Sequence, residues 1–271
     1  MKFFGVNSNK NMDFTINKYT ELIELLISKN YHFYTYNDFH LIDKTQSNRI
    51  VTLRHDVDKK KYNSLEFAKI QCKLGIKGTY YFRVVPESFD EKVIKEIASM
   101  GHEIGYHYET MDTSRGNIDK AYDEFCFYLE KFRQIIPVTT VCMHGSPLSK
   151  FDNRDIWKKY DYKNLGIIAE PYFDLDFNKV FYLTDTGRRW DGSNVSVRDK
   201  SMNSNIICNE LFLMKKFHST NNLITGINES DFPNQIMMTF HPQRWTNNRL
   251  DWTSELILQN LKNQIKKFII K

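Results

Sequence analysis

The sequence predicts an α/β protein in which a parallel sheet is covered by helices. Three observations carry this. Apolar, β-branched or aromatic runs alternate with segments of helical periodicity, and both have ordinary element lengths. Polar clusters follow the strand-like runs at Asp56, His107, His144, Asp185 and His241, and parallel α/β folds carry their sites at the carboxyl ends of strands. The length, 271 residues, suits one α/β barrel, which typically runs to about 250 residues.

Asp13 or Thr15 is placed to cap a first helix, INKYTELIELLISKN, whose Tyr19, Leu22, Leu25 and Leu26 have helical spacing. The aromatics of NYHFYTYNDF read as packing around a connecting strand. RIVTL reads as a buried strand, and Tyr62 to Leu74 as a helix ending near Gly75. GTYYFRV is strand-like, DEKVIKEIASMG is a helix stopped at Gly101, HEIGYHY is a strand, and Ile118 to Phe132 is a helix. PVTTVCM is a strand closing on His144. Residues 150 to 205 are less regular, with strand-like LGIIA and VFYLTD. A helix, NIICNELFLMKKFH, precedes the last strand, QIMMTFH, and a C-terminal helix runs from Thr253 to Ile270. A single catalytic domain over 1–271 is expected, with residues 1–48 as an N-terminal helical extension.

The hydrophobic fraction, 41%, and the aromatic fraction, 14%, suffice for a sizeable core and argue against disorder. A net charge of +5 without long basic tracts argues against nucleic acid as partner, and the short lysine runs read as solvated faces. Cys72, Cys126, Cys142 and Cys208 form no C-x-x-C pair and read as reduced, partly buried thiols. The N-terminal segment lacks a secretory apolar core, and no apolar run approaches the roughly 20 residues of a membrane span. The expectation is a soluble, cytoplasmic protein.

In LRHDVDKK, side-chain alternation points Asp56 and Asp58 one way, with His55 and Val57 opposite. Two close carboxylates stay ionised together most simply beside a cation, so a divalent metal is one reading. The other is a polar turn whose aspartates cap the helix near Tyr62. In GHEIGYHYET, Glu103, Gly105, His107 and Glu109 share a face, while His102 lies opposite and suits a structural hydrogen bond. Imidazole and carboxylate together suit zinc, with iron, manganese or cobalt as alternatives.

HDVD, GTYYF, GHEIGYH, MHGSP and MMTFHP, in this order over some 190 residues, resemble the polysaccharide deacetylases, the NodB-like domains of carbohydrate esterase family four. RHDVD, GYHYE, HGSP, DTGRRW and HPQRW resemble most the branch associated with surface-polysaccharide biosynthesis. The resemblance implies an irregular (β/α)7-type barrel and a metal-dependent removal of acetyl groups from amino sugars. By the same resemblance Asp56 is the general base and Asp58 the metal-binding aspartate, or the reverse, since Val57 separates two residues that are adjacent in much of the family. His107 then matches the first metal histidine, and His241 the histidine that protonates the leaving amine. The family's second metal histidine falls on Met111, and a thioether is a poor ligand for a hard ion. Glu109 is the preferred replacement, on the face of His107, with His144 second. His144 also occupies the place of the family's arginine beside the catalytic aspartate, where a hydrogen bond to Asp56 would set its basicity.

Arg54, Arg188, Arg189 and Arg244 fall inside these motifs with Trp190, Asp191 and Trp245. Guanidinium forks bind phosphate or carboxylate, and tryptophan stacks on sugars, so an anionic substrate is expected: a nucleotide- or lipid-linked amino sugar, or an acidic glycan. The competing reading pairs Arg54 with Asp185 or Asp191, and Arg189 with Asp191, inside the fold. The expected function is therefore metal-dependent hydrolysis of an N-acyl group on an amino sugar of a polysaccharide precursor. Met111 keeps open a non-catalytic binding protein on the same fold, and the same machinery would serve deformylation or ester cleavage.

Overall fold

The computed structural model describes residues 12–42, 49–145, 149–190, 217–229 and 232–269. The predicted helix NIICNELFLMKKFH lies almost wholly outside the described residues, as does Cys208.

Among the described residues the strands are β1 (His32–Tyr34), β2 (Ile50–Val57), β3 (Thr79–Phe82), β4 (Glu103–Tyr108), β5 (Val141–Met143), β6 (Phe181–Thr184) and β7 (Gln235–Phe240). They form one parallel sheet in the order β5-β4-β3-β2-β7-β6, curled into a half-barrel. β1 lies alongside the first half of β2, at Ile50 to Thr52, and β3 takes the second half, from Arg54. The parallel α/β fold read from the sequence is thus the fold observed, with β5 and β6 as the two sheet ends.

β2 is buried along its whole length, as expected of a strand with covered faces. It is longer than RIVTL because pairing with β3 continues to Val57, which places Asp56 inside the strand. His55 points to the outer layer, stacked on Tyr80 at 4.1 Å between ring centroids, with Nδ1 3.0 Å from the Thr79 carbonyl. Burial pushes its imidazole down to about 3, so it is a neutral core residue.

Helix α1 (Ile16–Ser28) is capped by Thr15, whose side chain accepts from the Lys18 amide, and it buries Tyr19, Leu22, Ile23 and Leu26. α2 (Tyr36–Leu41) is capped by Thr35. β1 pairs with β2, and buried residues of α1 and α2 belong to the two core clusters. α3 (Lys61–Lys73) starts after Lys60 in a left-handed conformation, φ 53°, with no side-chain cap. Asp56 and Asp58 are therefore not helix caps, which removes the turn reading. α4 (Glu91–Ser99) follows the Asp90 cap and ends before Gly101 at φ +85°. α5 (Thr110–Thr113), α6 (Ile118–Arg133) and α7 (Pro171–Asp174) complete the middle of the chain. LGIIA does not form a strand: it makes a single parallel bridge, Thr140 to Ala169, beside β5. α8 (Thr220–Asn228) leads to β7, and α9 (Arg249–Ile269) closes the fold.

The inner face is polar in layers. At the strand starts Glu103 accepts from Thr79 Oγ1 at 2.7 Å, from the Asn37 amide at 2.9 Å and from Thr140 Oγ1, tying β3, β4, α2 and the approach to β5 together. Above it the Tyr81 hydroxyl lies 3.0 Å from Thr140 Oγ1. Gly105 sits against this ring, and a Cβ there would collide with Tyr81 and approach the Thr140 carbonyl at 2.9 Å. Gly105→Ala is accordingly expected to cost about 1–3 kcal/mol through overpacking, read as a lowered denaturation midpoint. Unchanged stability would show that the Tyr81 ring can move aside.

Candidate active site

The carboxyl ends of β2, β4, β5 and β7 bring Asp56, Asp58, His107, His144 and His241 into one cluster. β4 aims His107 inward, and its Nδ1 lies 2.9 Å from the Cys142 carbonyl, which fixes the proton on Nδ1 and leaves the Nε2 lone pair facing the site. His107 Nε2 lies 3.6 Å from Asp58 Oδ1 and 3.8 Å from Asp56 Oδ2. Burial holds its imidazole down to about 4 against the pull of Asp56, so it is neutral at physiological pH.

His144, just past β5, places Nε2 3.5 Å from Asp58 Oδ1. The ligand atoms of Asp58, His107 and His144 all lie within 4.8 Å of one another. Asp58 Oδ1 is buried without a hydrogen-bond partner, while Oδ2 accepts from Gln243 Nε2 at 2.9 Å. An orphaned carboxylate oxygen facing two imidazole nitrogens fits a divalent cation of the zinc type.

Glu109, preferred from sequence as the third ligand, is otherwise engaged. Arg83 holds its carboxylate bidentately, with contacts of 2.7, 2.8 and 3.0 Å, and Arg83 Nη1 also reaches the Asp58 carbonyl at 3.3 Å. Glu109 Oε2 stands 3.0 Å from His144 Nδ1, on the far side of that ring from the cluster. Burial works against protonating His144, but Glu109 and Asp58 outweigh it and raise the imidazole above its ordinary range. The glutamate thus stands behind the histidine, and the histidine faces the cluster. Met111 is buried in α5, with its amide 3.0 Å from Asn153 Oδ1.

Asp56 is clamped by Arg54, Nε to Oδ1 at 2.8 Å and Nη2 to Oδ2 at 2.7 Å. Burial alone would raise its carboxyl, yet Arg54 and then His107 hold it below the usual range. Arg54 is therefore a partner of the aspartate and not a free anion receptor. Tyr172 covers it, with the guanidinium 5.1 Å from the ring centroid.

His241 follows β7, and its Nδ1 lies 2.6 Å from Asp185 Oδ1. Asp185 is fully buried and also receives the His241 amide at 2.9 Å, Arg244 Nη1 at 2.7 Å and Trp245 Nε1 at 2.6 Å. Burial opposes its charge, but His241 and Arg244 prevail and hold the carboxyl below its ordinary range. His241 lies near enough to both Asp56 and Asp58 to lower their carboxyls, which places it at the same cluster.

Several expected substrate contacts are internal. Trp245 is 0% exposed and Trp190 is 4% exposed, packed against Phe240, with Trp190 Nε1 donating to Thr220 Oγ1 at 3.0 Å. Neither presents a face for a sugar. Arg188 lies over the rings of Phe14 and Trp252, each 5.0 Å away, and donates to the Arg244 carbonyl. Arg244 serves Asp185, and Arg189 Nη2 lies 2.9 Å from His218 Nδ1. Asp191 lies outside the described residues.

Arg83 and Gln243 were not singled out from the sequence. For Arg83 the signal exists: in GTYYFRV it shares the Thr79 and Tyr81 face, at the end of the strand. Gln243 sits in a 3₁₀ turn, Pro242–Arg244, where no strand period applies.

No protein-family model matches the chain, and no curated protein does. Among solved structures it is similar to a family 4 carbohydrate esterase from Bacillus anthracis, at 12% identity over 90% of this chain and 85% of that one, with a TM-score of 0.40. It is also similar to the Xyl-CE4 domain of a multidomain xylanase from the hindgut metagenome of Trinervitermes trinervoides, at 12% identity over 80% and 84%, with a TM-score of 0.38. No helix among the described residues is long and apolar enough to cross a membrane.

Proposed function

We propose that this protein is a metal-dependent hydrolase that removes an N-acyl group from an amino sugar of a polysaccharide precursor. The observation that carries this is the convergence of Asp58 Oδ1, His107 Nε2 and His144 Nε2 on one point beside Asp56, with His241 at the same cluster. Asp58, His107 and His144 would hold the metal, and zinc suits two imidazoles and a carboxylate best. When bound, the ion supplies Lewis acidity to the acyl carbonyl and lowers the pKa of the attacking water.

The chain's own residues divide the remaining work. Asp56, kept ionised by Arg54, takes the proton of the attacking water. His241, held by Asp185 at Nδ1, turns Nε2 toward the leaving nitrogen and gives it a proton. Arg83 and Glu109 back His144 and keep its Nδ1 side occupied. Asp56→Asn is expected to retain zinc and to lose turnover on an N-acetylated amino sugar by about 10²–10⁴-fold. Wild-type turnover in that variant would remove Asp56 from the reaction.

Arg54, Arg188 and Arg244 are engaged inside the fold, so these three guanidinium groups are already committed and not free for a diphosphate on the substrate. The acylated sugar itself is the recognised group in this reading. Free and UDP-linked N-acetyl sugars are expected to be cleaved with kcat/KM values within about tenfold, or 1.4 kcal/mol. A strong preference for the linked sugar would restore the anionic reading.

Metal binding has a predicted pH dependence. His107 is already neutral, whereas His144 carries a raised pKa and must release a proton to bind metal. Zinc affinity should therefore be full above the raised His144 pKa and fall by about tenfold per pH unit below it. Calorimetric titrations across neutral pH would show this, and a flat profile would argue against His144 as a ligand.

A further inference from the structure

Helix α9 is amphipathic in the reverse sense. Its inward face carries Glu255 and Gln259, both buried, and Asn263, which donates to the Gly187 carbonyl at 3.0 Å. Its outward face carries five large aliphatic residues: Leu250 at 83% exposure, Ile257 at 55%, Leu258 at 48%, Leu261 at 58% and Ile265 at 54%. A surface helix ordinarily turns its apolar stripe to the core. Here polar groups dock the helix, Trp252 Nε1 donates to the Asp13 carbonyl at 2.6 Å, and the apolar stripe is left outside. A contiguous stripe of this kind marks a contact surface.

The stripe is self-complementary. About a two-fold axis between Ile257 and Leu258, antiparallel pairing sets Leu250 opposite Ile265, Ile257 opposite Leu258, and Leu261 opposite the small Ser254. By helical periodicity Asp251 and Lys262 project from the same flank, about three turns apart. Antiparallel pairing brings Asp251 of one copy alongside Lys262 of the other, twice per dimer. Among the described residues Asp251 pairs with Lys60 Nζ, at 4.0 Å.

We propose that α9 pairs antiparallel with α9 of a second copy of this chain, and that the protein is a two-fold dimer through this helix. The test is sedimentation velocity on the full chain over a concentration series. The wild type should sediment at twice the 32.3 kDa chain mass. Ile257→Glu combined with Leu261→Glu should give the single-chain mass, with an unchanged circular dichroism spectrum. Asp251→Lys should weaken the dimer at least tenfold, and adding Lys262→Asp should restore it. A wild type that stays monomeric overturns the proposal, including one whose stripe instead binds phosphatidylglycerol vesicles in a flotation assay. A dimer that survives the double glutamate variant overturns it equally.

Discussion

Replacing Asp185 by alanine is expected to cost the fold about 3–5 kcal/mol and to abolish turnover. The carboxylate is fully buried and receives Arg244, Trp245 and both the ring and the amide of His241. Its removal leaves the Arg244 guanidinium buried without its counter-charge, which is the costly half of breaking a buried pair. In a chain of this size the melting temperature should fall by roughly 10 °C. Asp185→Asn keeps the shape of the site and an acceptor oxygen but also removes the counter-charge of Arg244, so stability should fall here too. The tautomer and orientation of His241 are lost in the folded variant, and kcat falls with little change in KM. A variant with normal kcat would show that His241 acts without its aspartate or does not act at all.

The second large effect concerns the metal. His144→Ala should weaken zinc binding at least a hundredfold, because it deletes one of the three proposed ligands, Asp58, His107 and His144. Glu109→Gln should weaken it by a smaller factor, about 10–100-fold, as expected of a group that supports a ligand from behind. The reverse order, with Glu109→Gln the more damaging, would make the glutamate the ligand. Both variants should be followed by calorimetry on the folded protein, because the Arg83–Glu109 pair also joins β4 to the end of β3.

Much of this site was legible because strands have a two-residue period. Alternation alone places Asp56 and Asp58 on one face and His55 on the other, and it groups Glu103, Gly105, His107 and Glu109. What alternation cannot supply is which strands are neighbours and in what register. β3 lies beside β4 with Tyr81 opposite Gly105, and this carries Arg83 to Glu109, whose carboxylate it holds bidentately. The arginines and tryptophans depend on the fold in a related way. Residue type says what a guanidinium or indole can bind, but not whether its partner is a substrate or a buried carboxylate. Asp56 claims Arg54, and Asp185 claims both Arg244 and Trp245. LGIIA has strand composition, yet it reaches β5 only through Ala169, because a turn at Gly166, φ +73°, and a short 3₁₀ helix occupy the residues before it.

The most direct measurement is acetate release from an N-acetylated amino-sugar oligomer by chelator-stripped protein, before and after one equivalent of zinc. Turnover should be absent before addition and appear with stoichiometric zinc in the wild type, but not in His144→Ala. Equal rates with and without metal, or full activation of His144→Ala by one equivalent, would contradict a metal held by Asp58, His107 and His144.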